Sequence, residues 1–448
     1  MQLEELKARL QSCGVVGAGG AGFPTYGKLS EKADVILLNC AECEPLLKLH
    51  QQLLERHTPE ILSALDTVAK ALDVREVRVC VKAEYEHTVE AVEQCLPSYP
   101  GMALTLLDSV YPMGDEVVLI YEATGRVVRP GGLPIEEGVV VFNVETMYNV
   151  YRAVTEERPV TDKLVTVTCA VKDPITVRVP IGASIGDVVA MAGGATVPDP
   201  AYLIGGPMMG NVGSAAQSVT KTTNAVLVLP RDHQLVHSRS SNPSIDLKRA
   251  ASACCQCQSC TDLCPRHALG HPIEPHLFMR AAANQDFRDA NVFVDTMFCC
   301  GCGVCELYAC PQSLSPRTLI TNYKNGLRKA GVAVPKDVTA DGVESLREYR
   351  KVPEKRLAAR VGLAQYESPA PLDDTLRRVD RVTVLFSQHI GAPAVPVVKK
   401  GQQVSPGEVL AQPGKGLSVA IHASVSGRVL EVNERCAVLQ CTAAEKGR

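Results

Sequence analysis

A chain of 448 residues, 46% hydrophobic and 21% charged, has enough apolar side chain for about three cores at roughly 150 residues per domain, which excludes wholesale disorder. Its 46 Lys and Arg against 49 Asp and Glu leave a formal charge of -3, so no chain-wide attraction draws it to nucleic acid or an anionic membrane, and neither is expected as a partner. The longest apolar runs, GVVVF at 138–142 and AVLVL at 225–229, are strand-sized, well short of the roughly 20 residues a membrane helix needs.

The opening MQLEELKARLQSC places charges where a secretory signal needs an apolar core, which predicts a cytoplasmic protein. Leu3, Leu6 and Leu10 predict an amphipathic helix; a Gly-rich loop, a strand at 35–39 and an acidic turn, AECEP, follow. Residues 50–73 carry apolar side chains at helical spacing (Leu53, Leu54, Ile61, Leu65, Val68, Leu72), and 76–82 reads as the next strand. Strand and helix signals keep alternating, so 1–160 is expected to be one α/β domain. From Lys163 the text turns to short β-branched runs around one helix, a β-grasp-like unit over 161–237, and SRSSNPS at 238–244 is a polar linker. The cysteine-rich stretch spans 245–325, and 326–372 is expected to be a basic helical linker. Between 317 and 360 eleven Lys or Arg face five Asp or Glu, read as a solvated face rather than a docking surface. Short Val-, Gly- and Pro-rich strands over 373–448 predict a barrel-sandwich-like domain.

Ten of the 18 cysteines fall in two short stretches, and in a reducing compartment such a set suits metal better than disulfides. Cys254, Cys257, Cys260 and Cys264 stand at C-x2-C-x2-C-x3-C with Pro265 next, the bacterial ferredoxin run for a [4Fe-4S] cluster. Two intervening residues let successive thiolates curl around one cube, while the fourth reaches a neighbouring cluster. Cys299, Cys302 and Cys305 repeat the loop, with Cys310 after four residues instead of three. The ferredoxin pattern gives one cluster Cys254, Cys257, Cys260 and Cys310 and the other Cys299, Cys302, Cys305 and Cys264; the extra residue before Cys310 leaves the crossing open. Cys255 and Cys300 are spare. Zinc knuckles would leave a third Cys and a Cys-Pro surplus in each run. His267 and His271 do not form a metal pair, because Pro272 interrupts the helix that would align them, and a surface role is expected.

Glycine-rich loops also serve as plain turns, so GAGGAG at 17–22 decides nothing alone. It is followed, however, by Lys28, NCAECEP at 39–45, GDE at 114–116, RPGGLP at 129–134, FNVET at 142–146, GGPMMG at 205–210 and both cysteine runs. In that order these motifs resemble the FMN- and NADH-binding subunit of respiratory complex I, and still more the RnfC component of Rnf electron-transport complexes. A barrel-sandwich-like segment at the C-terminus rather than the N-terminus resembles the cobalamin reductases of the propanediol-utilisation microcompartment.

The resemblance implies a Rossmann-like FMN- and NADH-binding domain, a β-grasp domain of the soluble-ligand-binding type, a ferredoxin-like domain with two [4Fe-4S] clusters and a barrel-sandwich hybrid. It places Gly17, Gly19, Gly20 and Gly22 along the FMN phosphate and ring, Lys28 and Asn39 on the flavin, and Asn143 on the phosphate side. Glu42 and Glu44 would lie near the flavin and the nicotinamide ribose, as the catalytic pair. Ala18 stands where the complex I protein has Arg, so one charge is missing. Phe23 is either part of the NADH face or core. The C-terminal module lacks the Met-Lys of biotinyl and lipoyl carriers, which leaves it a structural or docking part. The implied activity passes electrons from NADH through FMN and two clusters to cob(III)alamin or cob(II)alamin, reactivating a B12-dependent diol dehydratase system inside a microcompartment, with a shell protein or an adenosyltransferase as further partners. Two alternatives stand beside it: an Rnf-type subunit with a membrane or other one-electron acceptor, and a zinc-stabilised scaffold.

Overall fold

A computed structural model describes residues 1–240 and 242–442; the last residues of the C-terminal span, 443–448, lie outside the described residues. The first domain is built on four parallel strands in the order Met102–Leu107, Glu76–Lys82, Val35–Cys40, Val139–Asn143. Strand Val35–Cys40 is nearly unbroken apolar sequence because helices cover both its faces. Ile36, Leu38, Val140 and Phe142 point into a core with helices Leu3–Ser12, Thr58–Leu72 and Val144–Thr155, while Val35, Leu37, Val139 and Val141 meet helix Glu116–Thr124 on the other side. Helix Thr58–Leu72 buries Ile61, Leu62, Leu65, Val68, Ala69 and Leu72 at the spacing its sequence shows.

The strand order holds the functional consequence. From Val35–Cys40 the chain steps outward twice, then returns to pair Val139–Asn143 on the opposite edge of the first strand. Connections leaving neighbouring strands in opposite directions open a crevice at their carboxyl ends, the usual ligand site of open α/β sheets.

The second domain is a mixed six-stranded sheet crossed by helix Ile185–Met191, which a Ser184–Asp187 capping box starts. Its edge strand, Leu372–Leu376, arrives from beyond the cysteine-rich region and runs parallel to Ile175–Pro180. Buried charges join these pieces: Arg152 and Arg178 both bind Asp162, and Arg178 also binds Asp374. The C-terminal domain pairs an antiparallel four-stranded sheet (Arg381–Leu385, Gln403–Val404, Gly427–Val432, Cys436–Cys441) with a three-stranded one, as a barrel-sandwich does. None of the helices among the described residues is long and apolar enough to cross a membrane.

Two expectations change. The basic stretch is not simply solvated: Arg347 and Lys351 pair with Glu122 of the first domain, Glu354 with the fully buried Lys82, and Val352–Pro353 pairs with Val110–Tyr111. Its charge excess is thus partly neutralised within the molecule. His271 is buried rather than at the surface, its Nε2 lying 2.9 Å from the Val128 carbonyl oxygen.

Candidate functional site

Asn39 and Asn143 face each other in register on the two strands that flank the crevice. The Gly-rich loop folds over this end. A bridge between Val16 and Pro24 and a bond from Gly17 N–H to the Phe23 carbonyl (2.9 Å) close its base, and Gly20 and Gly22 take positive φ (66° and 69°), open to glycine at no steric cost. Ala18 N–H donates to Thr146 Oγ1 at 2.9 Å, which ties the loop to the first turn of helix Val144–Thr155. A Cβ on Gly19 would lie 3.5 Å from Asn143 Nδ2, whereas one on Gly20 would meet nothing within 4 Å. Behind the loop stands the C-terminal domain: the Gln388 carbonyl and His389 abut Gly22, and Ser418 N–H donates to the Tyr26 hydroxyl.

Asn143 caps helix Val144–Thr155 through Oδ1, which accepts from Glu145 N–H, and turns Nδ2 to within 3.1 Å of His50 Nε2. His50 Nδ1 in turn lies 2.6 Å from Glu42 Oε2, a buried imidazole–carboxylate contact. Burial alone would raise the Glu42 carboxyl, but His50, Lys82 and Lys163 outweigh it and hold the group below the usual carboxylate range. Asn39 Nδ2 donates to the Gly114 carbonyl at 2.9 Å, and Lys28 Nζ reaches the Val141 carbonyl at 3.2 Å and Glu116 at 3.3 Å. Gly17, Gly19, Gly20, Gly22, Lys28, Asn39, Glu42 and Asn143 therefore gather at one strand-end crevice.

Glu44 takes a different position. Its carboxylate accepts from the N–H groups of Met208 (2.7 Å) and Met209 (3.0 Å), and a side chain on Gly206 would collide with it. It clamps the GGPMMG loop of the second domain, and burial pushes its carboxyl up to about 7. No spacing rule links His50 or Lys82 to the loop, so the sequence alone does not single them out, and Thr146 stands there only as the last residue of FNVET.

The cysteines divide in space. Cys310, Cys254 and Cys257 are the charge neighbours acting on Cys260, while Cys264 has Cys299 and Cys300. Cys264, Cys299, Cys300, Cys302 and Cys305 line a small cavity together with Arg266. The residue that lengthens the second run falls in a π-helical turn, Val304–Ala309, which ends at Cys310, and Cys310 lies near Cys260 of the first run. Among the described residues no three His, Cys, Asp or Glu side chains converge as ligands of a single ion do. The cavity group adjoins the crevice. Tyr111 donates to the Cys302 carbonyl at 2.7 Å, and Arg266 pairs at 2.8 Å with Asp115, the cap of helix Glu116–Thr124 and the neighbour of Gly114.

Comparison with known proteins assigns the same four parts. Residues 10–152 match the Nuo51 FMN-binding domain, 164–212 the SLBB domain, 253–315 the 4Fe-4S dicluster domain and 371–444 the RnfC barrel sandwich hybrid domain. The cobalamin reductase PduS of Citrobacter freundii is 41% identical over 434 residues, 96% of this chain and 95% of that protein. Its namesake from Salmonella typhimurium is 41% identical over 97% of this chain and 96% of its own length. A component of the Na(+)-translocating ferredoxin:NAD(+) oxidoreductase complex of Acetobacterium woodii is 30% identical over 60% of this chain and 59% of its own length.

Proposed function

The chain belongs to the cobalamin reductase PduS family, and on that premise we propose that it reduces the cobalt of a corrinoid with electrons drawn from NADH. The carrying observation is a strand-end crevice that adjoins the buried cysteine group in one polypeptide, linked to it through Gly114, Asp115 and Tyr111. When bound, FMN exchanges two electrons with a nicotinamide and single electrons with [4Fe-4S] clusters, which suits a one-electron change at cobalt.

The residues present fit these groups. A Cβ on Gly20 would meet nothing within 4 Å, so the loop backbone is open to a ligand, and five cysteines line one small cavity while Cys310, Cys254 and Cys257 lie around Cys260. Loop amides from 19–22 and the amino end of helix Val144–Thr155 would hold the phosphate, with Lys28 and Asn39 toward the ring. Glu42, kept ionised by His50, would orient the flavin and nicotinamide side of the crevice, while Glu44 fixes the second domain against it. Cys264, Cys299, Cys302 and Cys305 would hold the cluster nearer the crevice; Cys254, Cys257, Cys260 and Cys310 would hold one that opens to solvent, where an outside acceptor can reach. The same reading carries the role in a B12-dependent diol dehydratase system within a microcompartment, with a shell protein or an adenosyltransferase alongside.

Anaerobic stopped mixing of the purified chain with NADH and cob(III)alamin tests this. Flavin absorbance should bleach first and corrinoid reduction should follow in the same sample. Bleaching without any corrinoid reduction would transfer the activity to another one-electron acceptor, and a colourless preparation would remove the redox reading.

A further inference from the structure

Gly19 has asparagine amides from two domains beside it. A Cβ built there lies 3.5 Å from Asn143 Nδ2 and 3.6 Å from Asn224 Nδ2. Asn224 belongs to the second domain, one residue before strand Ala225–Pro230, and its carbonyl accepts from Thr166 N–H at 2.9 Å, so its backbone is pinned by the sheet. Its Oδ1 is buried and lacks a hydrogen-bond partner among the described residues. A buried carboxamide oxygen left unpaired opposes folding unless a ligand or water completes it.

The segment leading to Asn224 is rigid for a stated reason. Lys221, fully enclosed, donates from Nζ to the Gly14 carbonyl at 2.6 Å and to the Ala420 carbonyl at 3.3 Å, and its N–H donates to Gln388 Oε1 at 3.0 Å. Thr222 packs against Gly22. First, second and C-terminal domains thus meet at the foot of the Gly-rich loop and aim one uncommitted carboxamide at it.

We propose that Asn224 is a direct ligand of the phosphorylated polyol chain of the flavin, Nδ2 donating to a phosphate oxygen and Oδ1 accepting from a chain hydroxyl, so that the cofactor site is shared between the first and second domains. This rests on the flavin reading above. The test titrates flavin-depleted full-length protein with FMN and, separately, with riboflavin, following quenching of flavin fluorescence. Asn224→Asp, which places a negative charge beside the phosphate, should weaken FMN by roughly tenfold or more and riboflavin distinctly less. Asn224→Ala should weaken both and serves if the Asp variant does not fold, with iron content and thermal unfolding as folding checks. Unaltered FMN affinity in a folded Asn224 variant would overturn this inference alone. Parent protein that takes up neither flavin would overturn the flavin reading and this inference with it.

Discussion

The two cysteine runs are almost the same in sequence and differ in their surroundings. In the first run Cys255 and Cys257 are exposed, Cys254 and Cys260 half-buried and only Cys264 buried, whereas in the second Cys302 and Cys305 are buried and Cys299, Cys300 and Cys310 half-buried. Cys302 shares an apolar core with Leu46, Leu47 and Tyr111 of the first domain, while Cys254, Cys299 and Cys310 pack on a helical core around Phe278 and Phe293. Hydrogen bonding with Ser259 draws the Cys257 thiol down, and burial pushes that of Cys305 well up. Spacing along the chain gives each three-thiolate loop; what packs around the thiolates says which lie against the crevice and which are open to an outside molecule.

The strongest way to break this comparison is to remove one thiol from each set. Cys257→Ala and Cys302→Ala should each lose roughly half of the bound iron, since one cluster of two is forfeited in each. Cys257→Ala should keep its flavin and melt close to the parent, while Cys302→Ala, cut from a shared core, should also melt lower. Iron assay and thermal unfolding check this, and full iron retention in either variant would show the ligand sets to be wrong.

A smaller effect should come from Asp115, which caps helix Glu116–Thr124 and pairs with Arg266 beside the buried set. Asp115→Ala removes a cap and strands a largely buried guanidinium, so it should cost about 3 kcal/mol in denaturant unfolding. Only the buried cluster's spectroscopic signal should change. An equal change in both signals would mean that the two environments are not separate.

Glu44 sharpens the comparison through pH. The loop it clamps touches the second run, Met208 sharing an apolar core with Cys302 and Val304. With its carboxyl raised to about 7, the folded state binds more protons than the unfolded one between about 4.5 and 7. Unfolding free energy should therefore fall as pH rises through that window, by at most about 1.4 kcal/mol per pH unit. Glu44→Gln should flatten the slope, as followed by unfolding at several pH values.

Much of the site was legible because it is local. C-x2-C-x2-C spacing, the Gly-rich loop and the apolar run of Val35–Cys40 act within a few residues, where bond lengths and φ/ψ limits decide what can be reached. Asn39 and Asn143 could be named from their motifs, but that they stand side by side follows from the strand order. His271 was misplaced because Pro272 bears on helix alignment, not on what packs over the ring.

By itself the sequence determined the four kinds of domain, the two thiolate loops and the glycine turn over a strand end, since each is encoded by neighbours in the chain. Only the tertiary structure decided that Cys310 crosses to the first run, that Glu44 clamps the second domain, that Leu372–Leu376 completes a distant sheet and that Asn224 reaches the Gly-rich loop. These contacts join residues tens to hundreds of positions apart. Burial and pairing at that range depend on how whole layers pack, and no local spacing records it.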